Sequence, residues 1–126
     1  MLNQSRLVCF IATTDADRAR AFYRDTLGLA LIEDGGYALV FDANGTQLRV
    51  QRVDAVAPHA YTALGWEVSD LAATVRALAA RGVAVARFPG LPLDADGIWD
   101  TPDGSRVAWL HDPDSNTLSL SQAPPA

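Results

Sequence analysis

The chain has 126 residues, 49% of them hydrophobic and 20% charged, with 10 basic against 15 acidic side chains and a formal net charge of −5. That is one domain's worth of sequence with enough apolar material for a real core, which excludes a disordered chain. A net acidic chain without a basic run is a poor partner for nucleic acid or an anionic membrane, no apolar stretch approaches the roughly 18 residues of a membrane span, and the N-terminus carries no secretory signal, so the expected location is the cytoplasm.

Residues 6–12 form a β-branched and aromatic run that predicts a buried strand. Within it Cys9, the single cysteine, reads as a small buried hydrophobe and excludes an intramolecular disulfide. Asp15 is a good N-cap, and Asp17 adds negative charge to the first turn. Ala19, Phe22, Tyr23 and Leu27 recur at helical spacing and Gly28 follows, which predicts a helix over 16–27. Residues 29–33, 37–42 and 46–52 are strand-like, the last two joined by the hairpin pair Asn44-Gly45.

Residues 53–60 are a connector, and then the order repeats. A strand is predicted over 61–68 and a helix from a Ser69 cap to Arg81, with Leu71, Val75 and Leu78 on one face and Gly82 closing it. Further strands are expected at 83–87, 105–110 and 117–122. Thr14-Asp15 matches Ser69-Asp70, Gly28 matches Gly82, and Asn44-Gly45-Thr46 matches Ser115-Asn116-Thr117, so the chain reads as a doubled βαβββ unit. The expected fold is α+β: one domain over 1–126, with module one at about 5–53, module two at about 60–122, and curved mixed sheets around a cavity.

The long loop 88–104 carries Phe88, Leu91, Leu93, Ile98 and Trp99. It reads either as a lid over a ligand or as a short extra strand at Ile98-Trp99 packed on the core. Asp94, Asp96, Asp100 and Asp103 fail the calcium-loop template and read as solvated carboxylates. His59 reads as a loop residue and His111 as a strand-end residue that can also face a pocket.

The segment from Thr13 through Leu29, with its Phe22-Tyr23 pair and Leu27-Gly28-Leu29 end, resembles the first helix of the vicinal oxygen chelate superfamily, which includes glyoxalases, extradiol dioxygenases and bleomycin-resistance proteins. Trp66-Glu67-Val68-Ser69-Asp70-Leu71 resembles the start of that family's second module. His111-Asp112-Pro113-Asp114-Ser115-Asn116 resembles its Asp-Pro-Asp-Gly-Asn turn, with Ser115 in place of glycine. The resemblance implies a homodimer, and in the family's enzymes a divalent ion that binds two neighbouring substrate oxygens. It puts the four ligand positions on Val8, Arg49, Ala63 and Ser119, none of which is a metal ligand, and Arg49 would repel a cation.

The expected function is therefore metal-free and cofactor-free binding of a small organic molecule, with a glyoxalase-like lyase, isomerase or dioxygenase as the alternative. The residues expected at the ligand are Phe10, Arg49, Tyr61, Glu67, Trp99, Trp109, His111 and Ser119. Strand alternation puts Phe10 on the cavity side, and puts Arg49 there with Gln47 and Gln51. The three aromatic residues Tyr61, Trp99 and Trp109 suit stacking on a flat ligand. Glu67 is either half of a structural ion pair with Arg49 or a ligand-orienting acid, and it is the one candidate for a general base.

Overall fold

The computed structural model describes all 126 residues. The chain divides into two compact units, Met1–Pro58 with Pro113–Ser115, and His59–Asp112 with Asn116–Ala126. The α+β class expected from the sequence is the one found, with two four-stranded mixed sheets and few helices.

In the first unit the elements are β1 (Val8–Thr13), α1 (Ala16–Arg20), β2 (Ala30–Asp34), β3 (Ala38–Ala43) and β4 (Thr46–Arg52). The strand order is β1-β4-β3-β2, with β1 parallel to β4 and the other pairs antiparallel. Asp15 caps α1 by accepting from the Arg18 amide at 3.2 Å. After Arg20 the helix widens into a π-helical turn, Ala21–Thr26, in which the Leu27 amide reaches back to the Phe22 carbonyl at 2.9 Å. Gly28 then leaves at φ +81°, a conformation that costs a glycine nothing. Asn44 and Gly45 both have positive φ, the requirement of a two-residue hairpin turn between β3 and β4.

The helical segment buries Ala19, Phe22 and Tyr23. Tyr23 is fully buried, with its ring 5.9 Å from that of Phe41. Phe41 and Leu39 on β3, Leu48 and Val50 on β4, and Ile11 on β1 share this covered face. Each buried side chain of this size contributes about 1.5–3 kcal/mol. Leu7, inside the 6–12 run that predicts a buried strand, instead precedes β1 and is 74% exposed.

In the second unit the elements are β5 (Leu64–Glu67), α2 (Leu71–Ala80), β6 (Trp99–Asp100), β7 (Arg106–His111) and β8 (Thr117–Gln122). The order β5-β8-β7-β6, again with a parallel first pair, repeats the topology of the first sheet. Helix α2 buries Leu71, Val75 and Leu78 and packs on β7 and β8. No helix is long and apolar enough to cross a membrane.

Three local expectations change. Asp70, and not Ser69, caps α2, its carboxylate accepting from the Ala73 amide at 3.1 Å. The strand expected at 83–87 shrinks to a single bridge between Ala86 and Trp109. The strand position beside β7 is filled from inside the long loop, by β6.

Asp94 builds the turn that delivers β6. Its Oδ1 accepts from the Asp96 and Ile98 amides at 2.8 and 2.9 Å, and its Oδ2 from Arg106 at 3.2 Å. The Ile98 amide, against the opposing effect of burial, together with the Asp96 amide and the Arg106 charge, holds the Asp94 carboxyl below its ordinary value. Of the two readings of the 88–104 loop, the extra strand is the observed one, but it is Trp99–Asp100, and it is Ile98, 1% exposed, that enters the core while Trp99 stays half-buried. Asp96 and Asp100 pair with Arg76 and Arg106, and Asp103 accepts from the Ser105 amide, so these carboxylates are turn formers and ion-pair partners more than solvated charges.

Candidate functional site

Each sheet has one face covered by its helix and one face without a helix, here called the open face. On the first sheet the register lines up three rows across β3, β4 and β1 on the open face: Asp42, Gln47 and Val8; Val40, Arg49 and Phe10; Ala38, Gln51 and Ala12. The alternation expected from the sequence therefore holds on β1 and β4. Phe10 is 50% exposed, with the Arg49 guanidinium carbon 5.5 Å from the centre of its ring. Arg49 Nε donates to Gln47 Oε1 at 2.7 Å on the same strand.

A cleft of about 690 Å³ opens beside these rows. Arg6, Leu7 and Val8 form one wall and Ile32 contributes from β2. Asp42, Thr46, Gln47 and Arg49, with Arg6, form the polar part of the lining. In the sequence Arg6 stands out only as the start of a strand-like run. It stands two residues before Val8, so extending the alternation by one step would have pointed to it.

On the second sheet the open face carries Gly65, Ser119 and Trp109 in one row and Glu67, Ser121, Val107 and Trp99 in the next. Trp99 and Trp109 are stacked, with ring centroids 6.1 Å apart and planes at 24°. Phe88 meets Trp109 edge-on at 5.4 Å. Both tryptophans are half-buried. Gly65 is a glycine for a visible reason: a Cβ there would lie 2.8 Å from Ser119 Oγ. The Ser119 hydroxyl thus lies above the Gly65 backbone, beside the tryptophan pair.

The structure brings Trp99, Trp109 and Ser119 together and puts Phe10 and Arg49 together on the other sheet. His111 is exposed at the end of β7, two residues beyond Trp109 on the same side. Glu67 is exposed at the end of β5, in a shallow pocket with Ser69 and Gln122. Tyr61 is on neither sheet, because β5 starts only at Leu64. It is 67% exposed and stacks on the His59 ring at 4.7 Å. Phe88, which the sequence places on the long loop with no partner in view, belongs with the tryptophans.

The four positions implied by the resemblance offer a metal ion little. Val8 and Ala63 have no donor atom, Ser119 has one neutral hydroxyl, and a guanidinium donates hydrogen bonds and carries positive charge. These residues do not fit a divalent ion held by imidazole, amide and carboxylate groups.

The family model described as the glyoxalase/bleomycin resistance protein/dioxygenase superfamily matches residues 6–120. No curated protein matches the chain. Among solved structures, the chain is similar to the genomically encoded fosfomycin resistance protein FosX from Listeria monocytogenes, with a TM-score of 0.76 at 13% identity over 95% of this chain and 93% of that one. It is similar to a glyoxalase family protein from Enterococcus faecalis, with a TM-score of 0.74 at 16% identity over 96% and 99%. It is also similar to lactoylglutathione lyase from Agrobacterium tumefaciens, with a TM-score of 0.71 at 20% identity over 94% of each chain. At these identities the likeness is one of fold, and a fold hosts many chemistries. With the family model covering nearly its whole length, the chain belongs to the glyoxalase/bleomycin resistance protein/dioxygenase superfamily.

Proposed function

We propose that this protein is a metal-independent binder of a small organic molecule, holding a flat apolar or aromatic compound such as a drug or metabolite. The observation that carries the reading is the stacked, half-buried Trp99–Trp109 pair beside the Ser119 hydroxyl on a face that bears no helix. A tryptophan shelf supplies a large rigid surface at small entropic cost, and an adjacent hydroxyl orients a polar substituent. Gly65 keeps the floor beside the shelf low. The family's description includes drug-resistance proteins, and the poor fit of Val8, Arg49, Ala63 and Ser119 to a cation supports binding without metal. The reading includes a cytoplasmic homodimer; sedimentation of the purified protein checks the dimer, and cell fractionation the location.

The test is fluorescence quenching in a Trp66→Phe variant titrated with naphthalene-2-carboxamide, with and without a chelator. Saturable quenching that the chelator leaves unchanged is expected. No saturable quenching, or quenching that appears only with added nickel, zinc, manganese or iron(II), overturns the reading.

A second reading makes the protein a lyase, isomerase or dioxygenase with Glu67 as the acid–base residue. It is favoured by one observation, that Glu67 shares the open face with Trp99 through the Ser121 and Val107 row. A Glu67→Gln variant that keeps ligand binding but loses turnover selects it.

A further inference from the structure

All ten basic side chains are arginines, and six of them, Arg18, Arg20, Arg24, Arg52, Arg76 and Arg106, are neutralised in ion pairs with aspartates. In a chain of net charge −5, a guanidinium without a carboxylate partner is the exception. Arg6 and Arg49, which have no such pair, line the same cleft on the first sheet. The one carboxylate there, Asp42, accepts from the Gly45 amide at 3.0 Å, which ties it to the β3–β4 turn.

Arg49 is also held in place. Its Nε is fixed by Gln47 at 2.7 Å and its guanidinium stands over the Phe10 ring. Both Nη groups are left for a partner, and the entropy of ordering the side chain has been met in advance. A planar fork oriented in this way matches a planar carboxylate, to which it can donate two parallel hydrogen bonds. Leu7, Val8 and Ile32 give the cleft an apolar portion beside these charges.

We infer that this cleft is an anion site that takes the carboxylate of an organic acid, with Arg49 as the anchor, Arg6 as the second positive charge, and the acid's apolar body against Leu7, Val8 and Ile32. The inference goes beyond the proposed function: the cleft is a second site, on the first sheet, with a charged ligand of its own. It does not depend on the tryptophan shelf of the second sheet, and the two are read separately.

The experiment is an NMR titration that follows the Arg49 Nε–H signal, with calorimetry for affinity, using benzoate and its neutral isostere benzamide. The expected result is a saturable shift of Arg49 with benzoate, an affinity about tenfold above that for benzamide, and a loss of that affinity as salt is raised. Arg49→Gln, a change at an exposed position, removes the preference, and Arg6→Gln reduces it. Arg76→Gln, on α2 and paired with Asp96, leaves it intact. Benzamide binding as tightly as benzoate, an unmoved Arg49 signal, or a preference that survives Arg49→Gln overturns the anion site. If naphthalene-2-carboxamide still quenches tryptophan fluorescence in that case, the ligand-binding function stands without it; if it does not, both readings fall.

Discussion

Thr13 Oγ1 donates a hydrogen bond to Asp114 Oδ2 across 101 residues of chain, inside the first unit. The same carboxylate accepts from the Thr14 amide and hydroxyl at 2.9 and 2.8 Å. Burial pushes the Asp114 carboxyl up, but the Thr13 hydroxyl, the two Thr14 donors and the nearby Arg18 charge outweigh it and hold the group below its ordinary value. A carboxyl depressed in the folded state takes up its proton first in the unfolded chain. Its stabilisation is therefore complete above the unfolded value of about 4 and is lost as pH falls through the folded one. Urea unfolding between pH 3 and 7 should show this loss, and Asp114→Asn should lower stability by about 1–2 kcal/mol at pH 7 and flatten the acid limb.

Ser115, in the same turn, has φ +65° and an exposed side chain. A side chain in the left-handed region costs about 1 kcal/mol or more, part of which glycine returns through the greater freedom of its unfolded chain. Ser115→Gly is expected to raise stability by about 0.5–1 kcal/mol, which thermal unfolding reads as a rise in Tm of about 2–5 °C.

Gly97 sits at φ +83° with a would-be Cβ only 2.3 Å from Val85 Cγ2. Gly97→Ala should cost about 2–4 kcal/mol, since backbone strain and overpacking add. The double change Gly97→Ala with Val85→Ala should recover the packing part and leave the strain. Chemical denaturation of the two single variants and the pair separates them.

The stack of Trp99 on Trp109 predicts a coupling energy of about 0.5–1.5 kcal/mol in a double-mutant cycle to alanine. The near-ultraviolet circular dichroism of the wild type should lose the same features in either single variant. Additive costs and independent spectra would show that the rings do not interact.

The parts of this fold legible in the sequence are those in which a local period meets a buried face. Ala19, Phe22 and Tyr23 announced a helical stripe, Asn44-Gly45 a hairpin, and alternation on β4 sorted Leu48 and Val50 inward from Gln47, Arg49 and Gln51. Strand β6 was not legible as more than one of two options, because two residues carry no period. It exists through the hydrogen bonds of Asp94 and through pairing with β7. Ser69 and Asp70 are equally good caps by composition, and where β5 ends decides between them. The site was legible by face and not by neighbour. Alternation put Arg49 and Phe10 on one side, whereas the approach of Phe88 to Trp109 and the removal of Tyr61 to the His59 ring depend on contacts far apart in sequence or outside any strand.

In both units the first strand made is held to its sheet by the last one made: Val8 pairs with Gln47, and Leu64 with Leu118. Because β1 and β5 are each at an edge with a single neighbour, neither can settle until the ribosome has delivered the closing strand. Translation therefore leaves each leading strand waiting as an unpaired ribbon, and a chain cut short before Thr117 keeps α2 and β7 but has nothing to hold Leu64–Glu67. Folding of each unit is timed by its final segment, and a nascent or truncated chain is most vulnerable to proteases and to strand-mediated association at the leading strand of the unit still unfinished.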